Sequence, residues 1–407
     1  MRKTVCMLVS EHPFLDARIF HKEAKSLRKH GYEVTMIVPR RNGQLFDIDG
    51  TPFTYRFQAP SFTYDGIKVI SYDPPINVEN NVKLLAYNLQ QKGAERFTDP
   101  LTQLGVNQEC DFYHAHEFFS LYAAIGVKRK LAKKGKQTKI IYDSHELVPD
   151  PLEPIGRSVF QRQQRMLEQM FRESDAIITV SESIQSKYKV MASKVPVEVI
   201  YNSPPLLHPF TAKTYKHPWL TLGYVGTVTR DKGNWKKLLK ILELCNEAFD
   251  TRLKIIGGTT TTTEALSIPE RLKSKVEITG WMDYSSLPKA LQEVDIGWID
   301  LNVKTSLNRR YAMPNKFFSY LNNGIPVIVN QCDDMKRFID AHQCGTVIDK
   351  EQASARDYAE SLRMIDQQRQ TLRSWSMAGR KVMEDYYSWE HMEQRIYKIY
   401  RRLWKKG

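Results

Sequence analysis

Residues 309–330 read RRYAMPNKFFSYLNNGIPVIVN, and they leave the chain few ways to fold. Ile325 to Val329 is apolar at successive positions, as in a strand buried on both faces, the habit of parallel sheets covered by helices. The helix before it is bounded by Pro314, whose missing N–H costs nothing in a first turn, and by Gly324 as terminator. Phe317, Phe318 and Leu321 supply its apolar face. Its N-terminus points into a space lined by Arg309, Arg310, Asn315 and Lys316. Free backbone N–H groups, the helix dipole and these cations suit an anion such as a diphosphate. The same residues also fit an ordinary helix–strand unit with surface cations.

The rest of the chain repeats the rhythm. Thr4 to Ser10 is an apolar strand, a loop EHPFLDAR follows, a helix runs to Lys29, and Val34 to Val38 is the next strand. This β-loop-α-β order begins a doubly wound parallel sheet, which binds ligands at the carboxyl ends of its strands. Several ionisable residues fall at such ends: Asp16 and Arg18 after the first strand, His116 and Glu117 after Asp111–Ala115, and Asp143, His145 and Glu146 after Lys139–Tyr142. Each set suits either acid–base and hydroxyl-positioning chemistry or a polar knot that anchors loops. Asp47 and Asp49 are the one D-x-D pair open to a metal reading, but Gly50 beside them favours a turn. No metal site is expected.

At 407 residues the chain can hold two cores, and Pro204, Pro205, Pro209 and Pro218 mark a linker between them. The expected division is residues 1–203, linker 204–218, a second domain 219–385 and a closing helix 386–407. In the second domain a strand ends at Gly226, and Lys232-Gly233 precede a helix without a Walker or dinucleotide fingerprint. The five cysteines are scattered, which suits a reducing cytosol. No apolar run reaches the roughly 18–20 residues of a membrane span. A net charge of +14 favours anionic partners, and Val127–Lys139 carries seven cations with no acid, either a solvated face or a patch for an anionic membrane surface. Nucleic acid is not expected as a partner, because no recognition module is present. The amphipathic segment around Ile396, Ile399, Tyr400, Leu403 and Trp404 suits a packed closing helix or one lying on a membrane.

Pro314, Asn315, Lys316, Gly324, Pro326 and Val327 resemble the donor-site motif of glycosyltransferase family 4, a family with the GT-B fold. Asp16 with Arg18, His116, and the D-x-H-E of Asp143–Glu146 resemble the same family's first domain. Where the family places two glutamates, this chain has Tyr311 and Ser319, and Thr227 stands where an arginine is usual. The resemblance implies two Rossmann-like domains facing each other across a cleft, with the last helix crossing back to the first. It implies sugar transfer from a nucleotide-diphosphate sugar of UDP or GDP type to a glycan or lipid-linked acceptor, with retention and without metal. In that reading His116, Glu146 and Lys316 are catalytic. Gly226, Thr227, Arg230, Lys232, Gly280, Trp281, Met282, Arg309, Tyr311, Met313, Pro314, Asn315 and Ser319 bind the donor. Asp16, Arg18, Glu117, Asp143 and His145 bind the acceptor. The expected setting is cytoplasmic, on the inner face of a membrane where the acceptor is lipid-linked. A sugar-nucleotide epimerase and a degenerate, nucleotide-sugar-binding scaffold subunit are the alternatives.

Overall fold

The computed structural model describes residues 3–74, 81–91, 93–229, 233–259, 266–282 and 286–405. The chain forms two compact units, Met1–Tyr201 with Met392–Gly407, and Asn202–His391.

The first unit is built on a sheet of β1 (Thr4–Val9), β2 (Glu33–Pro39), β3 (Ser61–Tyr64), β4 (Ile67–Tyr72), β5 (Phe112–His116), β6 (Lys139–Ser144), β7 (Ala176–Thr179) and β8 (Val197–Val199). The order is β3-β4-β2-β1-β5-β6-β7-β8. All neighbours run parallel except β3 against β4. Val5 to Val9 are fully buried, as a central strand covered on both faces requires. The winding reverses between β1 and β5, so the loops leaving these two strands diverge and open a crevice at their carboxyl ends.

Residues 392–407 complete this unit. Met392, Ile396, Ile399, Tyr400 and Leu403 of the helix Trp389–Lys405 are buried. Tyr397 stacks on His30 at 4.1 Å, and the Tyr400 hydroxyl lies 2.9 Å from His114 Nδ1. The apolar face is therefore occupied by protein, which decides between the two readings of the segment.

The second unit holds β9 (Leu220–Thr227), β10 (Thr251–Gly258), β11 (Val276–Ile278), β12 (Ile296–Ile299), β13 (Val327–Asn330) and β14 (Gly345–Ile348), in the order β11-β10-β9-β12-β13-β14. Every pair is parallel. Val327, Ile328 and Val329 are fully buried, as the unbroken apolar run predicts, and Trp298 fills the core between sheet and helices. The winding reverses between β9 and β12.

Asp47 and Asp49 close a turn: Gly50 N donates to Asp47 O at 2.9 Å and Thr51 N to Asp49 Oδ1 at 2.8 Å. The basic run around Lys128–Lys139 is without acids only along the sequence. In space Lys128 and Lys139 pair with Asp175, Arg129 with Glu173, Lys133 with Glu95, and Lys134 and Lys136 with Glu109. No helix among the described residues is long and apolar enough to cross a membrane.

Candidate functional site

In the first unit the ionisable residues gather at the carboxyl ends of β1, β5 and β6. At the base is a buried knot. Arg18 donates from Nε to Asp143 Oδ2 (2.9 Å), from Nη2 to Asp143 Oδ1 (2.8 Å) and from Nη1 to Ile200 O (2.9 Å), and its Nε also lies 2.9 Å from Glu23 Oε1. Arg18, Glu23, His114, His116 and Asp143 are all at most 2% exposed. Burial opposes ionisation of Asp143, yet Arg18 and His145 outweigh it and hold the carboxyl well below the usual carboxylate range. Burial and the charge of Asp143 push the Glu23 carboxyl well up. Burial, with smaller help from the charges of His145 and Arg18, brings His116 down to about 4 against the pull of Asp143, so its imidazole is neutral near pH 7.

This burial bears on three sequence expectations. Arg18 and Asp143, expected to bind a ligand, are buried beneath the strand-end rim and spend their polar atoms on each other and on Ile200 O. His116 is likewise buried, with Nδ1 3.5 Å from Asp143 Oδ2 and 3.4 Å from His145 Nε2.

Above the knot lies a half-exposed rim. Asp16 Oδ1 accepts from the N–H groups of Arg18 (2.7 Å) and Ile19 (2.9 Å). Burial works against this carboxylate, but the Ile19 N–H, His12 and the other donors keep its pKa low. His12 and His145 flank Glu117, which is buried and has φ 72° and ψ 172°. That backbone region is almost reserved for glycine, so a glutamate there is held under strain of about 1–3 kcal/mol. Glu146 is exposed, and the partial burial of its carboxyl, then Glu117 and Glu153, raise its pKa. His12 and Glu23 are the site residues that motif reading missed. His12 lies in a loop without pattern, and Glu23 faces inward because the first helical turn, Ile19–Ala24, is a π-turn.

Two His–carboxylate groups among the described residues bring ligand-capable atoms within 4.8 Å of one another. The buried one, Glu23, His114, His116 and Asp143, already contains the Arg18 cation. Its two imidazoles also stack nearly parallel, 4.6 Å apart at 16°, so their lone pairs do not converge on a point.

In the second unit the ends of β9, β10 and β11 meet through glycines. Gly226 has φ 119° and Gly257 φ 125°; a Cβ on Gly257 would lie 2.4 Å from Gly226 O. Gly257 N donates to Gly280 O at 3.1 Å. Lys316 starts the helix Asn315–Asn322 behind Pro314, and its Nζ lies 3.8 Å from the centre of the Tyr224 ring, beside Gly226. A lysine, a helix N-terminus and side-chain-free backbone are thus brought together, the furniture of an anion site. Asn315 is exposed, while Met313 and Ser319 are buried. Ser319 Oγ donates to Asn315 O at 3.0 Å, so the group in the glutamate's place serves its own helix. Arg310 pairs with Glu351, and Arg309 reaches Thr305 Oγ1 at 3.3 Å. Tyr311 is half-buried, Thr227 ends β9, and Trp281, followed by Met282, is exposed with Nε1 donating to Thr259 O at 3.3 Å. Arg230 and Lys232 lie outside the described residues.

Two doubly wound α/β units, each with a switch point at the carboxyl ends of its strands, have the architecture of the GT-B fold. The model of Glycosyltransferase Family 4 matches residues 17–203 and that of Glycosyl transferases group 1 matches residues 220–365. The chain belongs to this glycosyltransferase family. Among curated protein sequences none matches it. Solved structures share the fold. A sucrose-phosphate synthase from Thermosynechococcus elongatus is 13% identical with TM-score 0.68, covering 100% of both chains. Anabaena HepE in complex with UDP and glucose is 13% identical with TM-score 0.63, covering 98% of this chain and 99% of that one. A glycine-to-arginine mutant of S. aureus TarM in complex with Fondaparinux, alpha-GlcNAc-glycerol and UDP is 11% identical with TM-score 0.60, covering 98% of this chain and 99% of that one.

Proposed function

We propose that this glycosyltransferase moves a hexosyl group from a UDP- or GDP-sugar to a hydroxyl of a glycan or lipid-linked saccharide in cell-surface polysaccharide synthesis, with retention at the anomeric carbon. The observation that carries the reading is Lys316 beside Gly226 at the start of the helix Asn315–Asn322. Charge develops on the diphosphate as the glycosidic bond breaks. A fixed ammonium group and backbone N–H groups stabilise that charge without a metal ion at the phosphates. Pro314, Asn315, Gly280, Trp281 and Met282 would hold the rest of the donor, with Arg230 and Lys232 adding cations. Glu146, the exposed carboxylate of the rim, would receive the acceptor hydroxyl, with Asp16, Glu117 and His145 around it and His116 orienting His145 from below. UDP bound by the HepE structure and by the TarM complex supports a nucleotide-diphosphate donor. The tied hydroxyl of Ser319 favours a second reading, a binding subunit without turnover.

The test is calorimetric titration with UDP and GDP, followed by a turnover assay. One nucleotide should bind, and Lys316→Ala should weaken it by about 1.5–3 kcal/mol, as for a lost charged hydrogen bond. Nucleotide release that requires a saccharide acceptor, and that added magnesium or manganese does not stimulate, marks the transferase. Turnover without acceptor marks an epimerase, and binding without turnover marks the subunit. Equal affinity of Lys316→Ala and wild type removes the donor from this strand end.

A further inference from the structure

We infer that His12, Glu117 and His145 form a binding site for one zinc-like divalent transition-metal ion at the crevice of the first unit. His12 Nε2 lies 3.6 Å and His145 Nδ1 3.4 Å from the same oxygen, Glu117 Oε1. Both separations exceed the 2.7–3.2 Å of an N–H···O hydrogen bond. The His145 separation equals the edge of a tetrahedron around zinc, about 3.3–3.4 Å for bonds of 2.0–2.1 Å, and the His12 separation lies slightly beyond it. His12 Nε2 is buried and makes no hydrogen bond. The two imidazoles are tilted by 39°, with centroids 4.9 Å apart, unlike the parallel pair in the knot below.

A carboxylate also stands behind each ring, near enough to draw in and orient the imidazole when its other nitrogen is a ligand. His145 Nε2 lies 3.4 Å from Asp143 Oδ2, and His12 Nδ1 lies 3.9 Å from Asp16 Oδ2. A carboxylate behind an imidazole fixes its tautomer and strengthens it as a ligand, the usual outer arrangement of zinc-bound histidine. Glu117 holds its place with a left-handed backbone, φ 72° and ψ 172°. Two nitrogens and one carboxylate oxygen select zinc and its neighbours over magnesium or calcium, which take oxygen ligands. The side chains of His12, Glu117 and His145 are 30%, 9% and 14% exposed, so an ion can enter from solvent. Three protein ligands leave a fourth position for water or an oxygen of a bound molecule. The inference is independent of the donor reading, because all five residues lie in the first unit.

The full chain, stripped with chelator and titrated with zinc against a chromophoric competitor, should bind one equivalent. Cobalt in its place should give visible absorption bands of a four- or five-coordinate site. His12→Gln and Glu117→Gln should each weaken zinc by 100-fold or more, and Asp16→Asn by roughly 10- to 100-fold. Asp16→Asn keeps the side-chain oxygen that caps Arg18 and Ile19, so it separates loss of the outer carboxylate from loss of the loop. His208→Gln, at an exposed histidine of the second unit, should bind as wild type does. Less than one equivalent in the wild type, or zinc affinity of His12→Gln equal to that of the folded wild type, would overturn the site. Circular dichroism of each variant establishes folding before the comparison.

Discussion

Arg18 is the residue that converts a loop into a platform. A lysine could not replace it, because three separate nitrogens are engaged with Asp143, Glu23 and Ile200 O. Arg18→Met should destabilise the first unit by about 3–5 kcal/mol, since it strands Asp143 as an uncompensated buried charge. Urea unfolding should record this as a lower midpoint. Replacing Asp143 by asparagine as well should recover part of the loss, a coupling that a double-mutant cycle measures. The D-x-R pattern made Arg18 legible, but its depth was not. Polarity in sequence suggests exposure, and only the pairing across β6 shows that the charge is internal.

At the scale of elements, most of the architecture could be read directly. Apolar runs such as Ile325–Val329 have no alternation, and that alone places them inside a covered parallel sheet. The glycine contact between β9 and β10 was not legible, because Gly257 carries meaning only once Gly226 O lies against it. The pairing of the basic run was not legible for a related reason: its acids are supplied by Glu95, Glu109, Glu173 and Asp175, outside the run in sequence. Capping shows the opposite case, in which local sequence suffices. Ser354 and Asp357 form a reciprocal capping box on the helix Ala355–Gln367. Ser354→Ala should cost about 1 kcal/mol near neutral pH. Lys350 and then Ser354 lower Asp357 to about 2 from its ordinary 3.8. The unfolded chain therefore binds the proton more readily between these values. The contribution is present above about pH 4 and lost as pH falls through 2. The gap between wild-type and Ser354→Ala urea midpoints should narrow over the same window.

For the whole molecule, the contact pattern assigns residues 392–407 to the first unit although they follow the second in sequence. Removing them should unprotect β1 and β5 in hydrogen exchange while the amides of β9 and β13 keep their protection. Tyr400→Phe is the milder form, leaving His114 Nδ1 without its hydroxyl partner at a cost of about 1–3 kcal/mol. Equal loss of protection in both sheets would show that the helix supports more than the unit it packs on.

The same feature bears on how the protein is made. Domains usually fold in the order in which they leave the ribosome. Here the first unit emerges early and waits, with the surface that will receive Ile396, Ile399, Tyr400 and Leu403 still bare, until nearly all of the second has been translated. During that interval the nascent chain offers an apolar groove to chaperones and to its own neighbours on a polysome. A chain that stops before residue 392 lacks the segment that covers this surface, so its first unit stays unfinished however well it has begun to fold.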